Sequence, residues 1–123
     1  MAYRILIVED EVDTRELLSL TLGFEGHRVE TAENGREALE LLAGRSYDVI
    51  LTNLRMPGMS GEELYQRIEQ GWPHLAPRVV FVTGEKPGGF QTQYGGASVP
   101  VLSKPYTRER LRQVIEAIVA RDV

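Results

Sequence analysis

Apolar residues along this chain fall into two patterns that alternate from one end to the other. Compact runs occur at Arg4 to Val8 (RILIV), Val49 to Leu51 within YDVILTN, and Arg78 to Thr83 (RVVFVT). Runs of this length, bounded by polar or turn residues, suit strands buried on both faces of a parallel sheet. His27 to Ala32 alternates as a short strand, and Val99 to Leu102 reads as the last one. Between them the apolar positions recur with helical spacing. Asp13 starts a first helix, with Glu16 in capping-box position and an inward stripe of Leu17, Leu18, Thr21 and Leu22. Gly23 and Gly26 mark its end. Asn34-Gly35 turns into a second helix carrying Ala38, Leu39 and Leu42, which Gly44 stops. Ser60 caps a third, reaching about Gln70, with Glu62 and Glu63 in its first turn and Leu64, Tyr65 and Ile68 inward. Thr107 caps the final helix, whose Leu111, Val114, Ile115, Ile118 and Val119 form one continuous face.

The pattern weakens between Lys86 and Ala97, where Pro87, Gly88-Gly89 and Gly95-Gly96 leave only Phe90 to Tyr94 for a helix. A frayed turn or short helix, more mobile than its surroundings, is expected there. Trp72 and Pro73 fall in a loop, with the indole plugging an edge of the core. Five strands alternating with helices, without linker, repeat or low-complexity segment, predict one doubly wound α/β domain over residues 1–123.

Composition narrows the classes of function. With 123 residues, 42% hydrophobic and 26% charged, the chain fits one globular domain with a single core. No apolar run approaches the ~20 residues that span a bilayer, and the first run is too short for a signal peptide. A formal charge of −4 argues against a nucleic-acid face. The chain has no cysteine, which removes disulfides and thiolate metal sites and agrees with a cytoplasmic location. His27 and His74 show no ligand spacing and read as ordinary surface residues.

Candidate chemistry gathers where the strands end. Glu9 and Asp10 follow the first strand, Asn53 ends the third, Thr83 ends the fourth, and Lys104 follows the fifth. In a parallel sheet those ends share one edge, which is where ligands sit in open α/β folds. After Asn53, Met56-Pro57-Gly58 forces a turn. Two adjacent carboxylates are costly to hold together without a cation between them. Mg²⁺ suits that place, since it takes oxygen ligands and keeps several waters. A hydroxyl and an ammonium opposite would suit a metal-bound phosphoryl group.

The acidic pair in LIVEDE, the LRMPGMSG segment, Thr83 in VFVTG and Lys104-Pro105 in SKPY occur in the order and spacing of a known family. Over essentially its whole length the chain resembles the receiver domain of two-component response regulators. The resemblance implies a flavodoxin-like sheet of strand order 2-1-3-4-5, with the fourth helix short or irregular in this chain. It implies that Asp10 ligates Mg²⁺ directly and Glu9 acts largely through water, with the backbone carbonyl of Arg55 completing the protein ligands. Thr83 would hydrogen-bond a phosphoryl oxygen, Lys104 would neutralise its charge, and the Lys104–Pro105 bond would be cis. The partners implied are a sensor histidine kinase or phosphotransfer protein, with output through a downstream protein or a fused domain. Arg108, Arg110 and Arg112 offer candidate contacts on the final helix, or simply a solvated face.

Two positions depart from the family. Asn53 stands where receivers carry the phosphoacceptor aspartate, and an amide oxygen is a far poorer nucleophile than a carboxylate. The chain is therefore expected not to form the acyl phosphate, to lack the family's self-phosphorylation and dephosphorylation activity, and to bind Mg²⁺ weakly through Glu9, Asp10 and Asn53. Lys104 would turn to Glu9 or Asp10. The substitution reads either as a natural pseudo-receiver working through protein contacts alone or as an introduced block on phosphorylation. Val101 stands three residues before the lysine, where many receivers carry a switching Tyr or Phe, and VPVLSKPY resembles the receiver modules of hybrid sensor kinases. Tyr106 reads as a packing residue. Two rivals fit poorly. A flavin or nucleotide binder would not place Glu-Asp-Glu-Val-Asp in its phosphate loop, and a hydrolase would lack a nucleophile at Asn53 and a base beside Thr83.

Overall fold

A computed structural model describes residues 2–84, 91–94 and 97–120. The elements run β1 (Arg4–Val8), α1 (Val12–Phe24), β2 (Arg28–Ala32), α2 (Gly35–Gly44), β3 (Val49–Asn53), α3 (Gly61–Gly71), β4 (Val79–Thr83), β5 (Gln91–Tyr94), β6 (Ala97–Ser103) and α4 (Arg108–Ala120). A 3₁₀ turn at Pro73–Arg78 leads into β4. Five strands are parallel in the order β2-β1-β3-β4-β6, which is the expected 2-1-3-4-5 arrangement. A sixth, β5, pairs antiparallel with β6 at the edge.

The compact apolar runs become central strands because both of their faces are covered. Leu6, Val8, Ile50 and Phe81 pack on one side against Leu64 and Ile68 of α3. Ile5, Ile7, Leu51 and Val80 pack on the other with side chains of α1 and α4. Each fully buried aliphatic or aromatic side chain contributes about 1.5–3 kcal/mol, so period-two alternation along β1 and β3 supports two cores at once. Ser60 and Thr107 cap their helices as expected, accepting from the backbone N–H of Glu63 (3.1 Å) and Arg110 (3.0 Å), and Asn34 caps α2 in the same way, accepting from Glu37 N–H at 2.8 Å. Trp72 packs against the α3-side core. Among the described residues no helix is long and apolar enough to cross a membrane.

Several expectations are corrected. Gln91–Tyr94 is a strand, not part of a helix, with Tyr94 opposite Ala97 and Gln91 opposite Pro100. Of the Lys86 to Ala97 stretch expected to be more mobile, residues 86–90 and 95–96 lie outside the described residues. The last parallel strand is longer than Val99 to Leu102, running from Ala97 to Ser103, because it pairs with neighbours on both sides. Asp13 does not cap α1. The helix starts at Val12 with Glu11 as its N-cap and no side-chain cap, the Glu9 carboxylate takes the Glu11 N–H at 3.1 Å, and Asp13 therefore lies inside the first turn. Leu17 is not inward. Leu18 and Leu22, four apart, fill the seam against the sheet, while Leu17 lies about 100° round the helix and is 67% exposed. Leu20 and Phe24 share its exposed side, Phe24 at 92%. His27 is half-buried rather than a plain surface residue. Its Nδ1 accepts the Tyr3 N–H at 3.2 Å, and its ring stacks on Tyr3 at 5.4 Å.

The corrected face of α1 sets a clear contrast. Leu18→Ala should cost about 2–5 kcal/mol by leaving a cavity, whereas Leu17→Ala should stay within about 0.5 kcal/mol. Urea denaturation of the two variants measures both.

Candidate functional site

The parallel register brings the predicted residues to one edge. Val8 pairs with Ala32 and Thr52, Asn53 with Val82, and Thr83 with Ser103, so β1, β3, β4 and β6 all stop there. Backbone bonds hold the ends in place. Glu9 N–H donates to the Ala32 carbonyl at 3.0 Å, Leu54 N–H to Val82 at 3.0 Å, and Lys104 N–H to Thr83 at 2.7 Å. The Lys104–Pro105 bond is cis, as anticipated.

Glu9 is the centre of the cluster. It is only 2% exposed, so its charge is balanced by neighbours rather than water. One carboxylate oxygen accepts from the Glu11 N–H at 3.1 Å and from the Asn53 side-chain NH₂, also at 3.1 Å. The other faces the Lys104 ammonium at 3.5 Å. The same Asn53 NH₂ donates to an Asp10 carboxylate oxygen at 3.2 Å. Asn53 thus lies between the two acids, and Lys104 has turned to Glu9, one of the two partners expected for it.

Thr83 is buried at the end of β4, joined to Lys104 through the backbone. Arg55 is exposed on the loop two residues beyond Asn53. Val101 is buried and pairs with Phe81, which makes it part of the core. Tyr106 packs against the α1–α4 side, in keeping with a packing role. Burial raises its phenol above the ordinary 10.0, and the negative charge of Glu9 raises it further. Arg108 and Arg112 of the final helix are exposed and face Glu25 (3.9 Å) and Glu109 respectively.

The residue that sequence reading missed is Arg15. Its guanidinium donates to the Glu9 backbone carbonyl at 2.9 Å and pairs with Glu33 at 3.5 Å, tying α1 and the β2–α2 loop to the acidic end of β1. A basic residue one turn into the helix that follows an acidic pair was the available signal. Gly61 is required by close approach. A Cβ there would collide with the carbonyl oxygen of Asn53 and lie 3.0 Å from Leu54 Cα. Gly58, at φ +80°, supplies the left-handed turn residue anticipated after Pro57. Among the described residues no group of three or more His, Cys, Asp or Glu is placed to hold a metal, so a cation here would draw on two carboxylates, amide and carbonyl oxygens, and water.

Comparison with known proteins identifies the family. The family model of the response regulator receiver domain matches residues 5–116. The chain therefore belongs to the response regulator receiver domain family. It is 38% identical over 112 residues to the response regulator protein PilR of Pseudomonas aeruginosa, covering 91% of this chain and 25% of that protein. It is 32% identical over 117 residues to the sensor histidine kinase AruS of the same organism, covering 93% of this chain and 12% of that protein. The chain thus spans about a quarter or less of these two relatives. Among solved structures, the response regulator TrrA of Thermotoga maritima, in complex with Mg²⁺ and BeF, superposes with a TM-score of 0.80 at 29% identity, over 96% of this chain and 99% of that one.

Gly61→Ala tests how tightly the β3 end is packed. The collision is with backbone that cannot rotate aside, so the variant should lose about 1–3 kcal/mol. Gly44→Ala, with nothing within 4 Å of the added carbon, should be neutral or gain up to about 1 kcal/mol. Thermal melts of the pair provide the measurement.

Proposed function

We propose that this chain is the receiver module of a two-component phosphorelay in which Asn53 occupies the phosphoacceptor position, so that it takes up no phosphoryl group as it stands. The observation that carries this reading is the place of Asn53: the last residue of β3, in contact with Glu9 and Asp10 and next to a Lys104 that reaches the same carboxylate. A carboxylate there would be a nucleophile within a cation-binding pocket. The amide has no anionic oxygen to attack phosphorus. On this reading the family's phosphorylation chemistry is lost and the chain is not an enzyme.

The donor types fit Mg²⁺ in kind. Glu9, Asp10 and the Arg55 carbonyl would hold it, with the Asn53 amide oxygen joining them only once its NH₂ has turned away from the two acids, and when bound it supplies positive charge beside an anionic phosphoryl group. Thr83 would donate to that group and Lys104 would offset its charge. With Asn53 in place of an acid the pocket has one formal negative charge fewer, so Mg²⁺ binding is weakened. The partners are a sensor histidine kinase or phosphotransfer protein upstream and a downstream protein or fused domain for output. The net charge of −4 favours assigning no nucleic-acid contact to this module itself.

A second reading, a natural pseudo-receiver acting by phosphorylation-independent protein contacts, is favoured by two observations. The groups of the pocket satisfy one another, and α1 exposes Leu17, Leu20 and Phe24.

Incubating the protein and an Asn53→Asp variant with a small-molecule phosphodonor and Mg²⁺, then weighing both intact, tests the first reading. A phosphoryl mass on the variant alone is expected. Gain by neither protein would favour the pseudo-receiver, and gain by the Asn53 form would overturn the account of the site.

A further inference from the structure

Building on the receiver reading of the pocket, we propose that the Asn53 amide is an internal competitor of the divalent cation: its NH₂ fills the point where the Glu9 and Asp10 carboxylates converge, so a cation binds only after Asn53 turns away. One nitrogen lies 3.1 Å from a Glu9 oxygen and 3.2 Å from an Asp10 oxygen. An NH₂ group has two hydrogens, and here there is an anionic acceptor for each. The opposite orientation would set the amide oxygen against two carboxylate oxygens, so the acceptors themselves dictate which end of the amide points inward.

These are charge-assisted bonds, and the one to Glu9 is made by a carboxylate with almost no access to water, where such bonds are strongest. Lys104 already offsets the second Glu9 oxygen, and Arg15 is bound at the Glu9 backbone carbonyl. The acidic pair is thus satisfied without a metal. The apparent affinity for a cation is the intrinsic affinity multiplied by the small fraction of molecules whose amide has swung out.

This differs in sign from treating Asn53 as a poor but helpful oxygen ligand. If the amide is a ligand, deleting it weakens cation binding. If it is a competitor, deleting it strengthens binding, even though a potential oxygen donor is lost.

Mg²⁺ titration calorimetry on the protein, Asn53→Ala and Asn53→Asp decides between them, with thermal melts to establish that each is folded. Asn53→Ala should bind Mg²⁺ on the order of tenfold tighter than the parent, the equivalent of one net hydrogen bond, and Asn53→Asp tighter again. Equal or weaker binding by Asn53→Ala overturns the proposal. Should Asn53→Ala fail to fold, Asn53→Ser, which also lacks the NH₂ that spans the two acids, takes its place. Tighter Mg²⁺ binding than the parent is expected of it, and equal or weaker binding overturns the proposal. The two levels of inference fail differently. An Asn53→Asp variant that neither binds Mg²⁺ nor accepts a phosphoryl group removes the receiver reading, and the competition with it. One that does both, beside an Asn53→Ala variant that binds no tighter than the parent, removes the competition alone.

Discussion

A carboxylate buried at the end of a parallel strand has to be compensated within the protein, and Glu9 is that carboxylate. Its two oxygens gather a backbone N–H from the start of α1, an amide from the end of β3 and an ammonium from the residue after β6. Those groups are distant in sequence, with 95 positions separating Glu9 from Lys104. An uncompensated charge at this depth would cost several kcal/mol, so the three strand ends are held together by the need to satisfy it. Arg15, bound to the backbone carbonyl of the same residue, extends the network to Glu33 beyond β2.

The sheet makes this convergence possible. Parallel strands all deliver their carboxyl ends to one edge, and the right-handed crossovers that parallel pairing requires put helices on both faces. Burial on both faces is what allows runs such as RILIV and VVFVT to be almost wholly apolar, and the chain turns polar where the covering helices begin. Fold and site therefore come from one constraint: the point at which burial ends is also the point at which charged groups meet.

Much of this was legible along the chain. Apolar runs of three to six residues and one alternating segment marked the parallel strands, and Asn34, Ser60 and Thr107 announced three helix starts because a short polar side chain there has a local backbone partner three residues on. Asp13 looked similar but failed as a cap. The helix begins one residue earlier, at Val12, with the Glu9 carboxylate on the Glu11 N–H two residues on, so Asp13 falls inside the first turn and not ahead of it. Leu17 failed for a related reason, since α1 lies on the sheet along a narrow seam that Leu18 and Leu22 fill by themselves. At Gln91–Tyr94 the stronger signal is two short runs separated by Gly95-Gly96, the spacing of a hairpin, and not a helical period.

The sequence by itself determined which residues would meet: the order of strands and helices, and hence Glu9, Asp10, Asn53, Thr83 and Lys104 along one sheet edge. It could do so because parallel β/α alternation leaves few topologies open. Only the tertiary structure decided how they meet, with the Asn53 NH₂ turned toward both acids and Lys104 drawn to Glu9 in preference to Asp10. Hydrogen-bond direction depends on which acceptors surround a group and how far each is shielded from water, and no spacing along the chain encodes that. The same holds for the exposed side of α1, where the identity of the buried leucines follows from the angle at which a helix settles on a sheet.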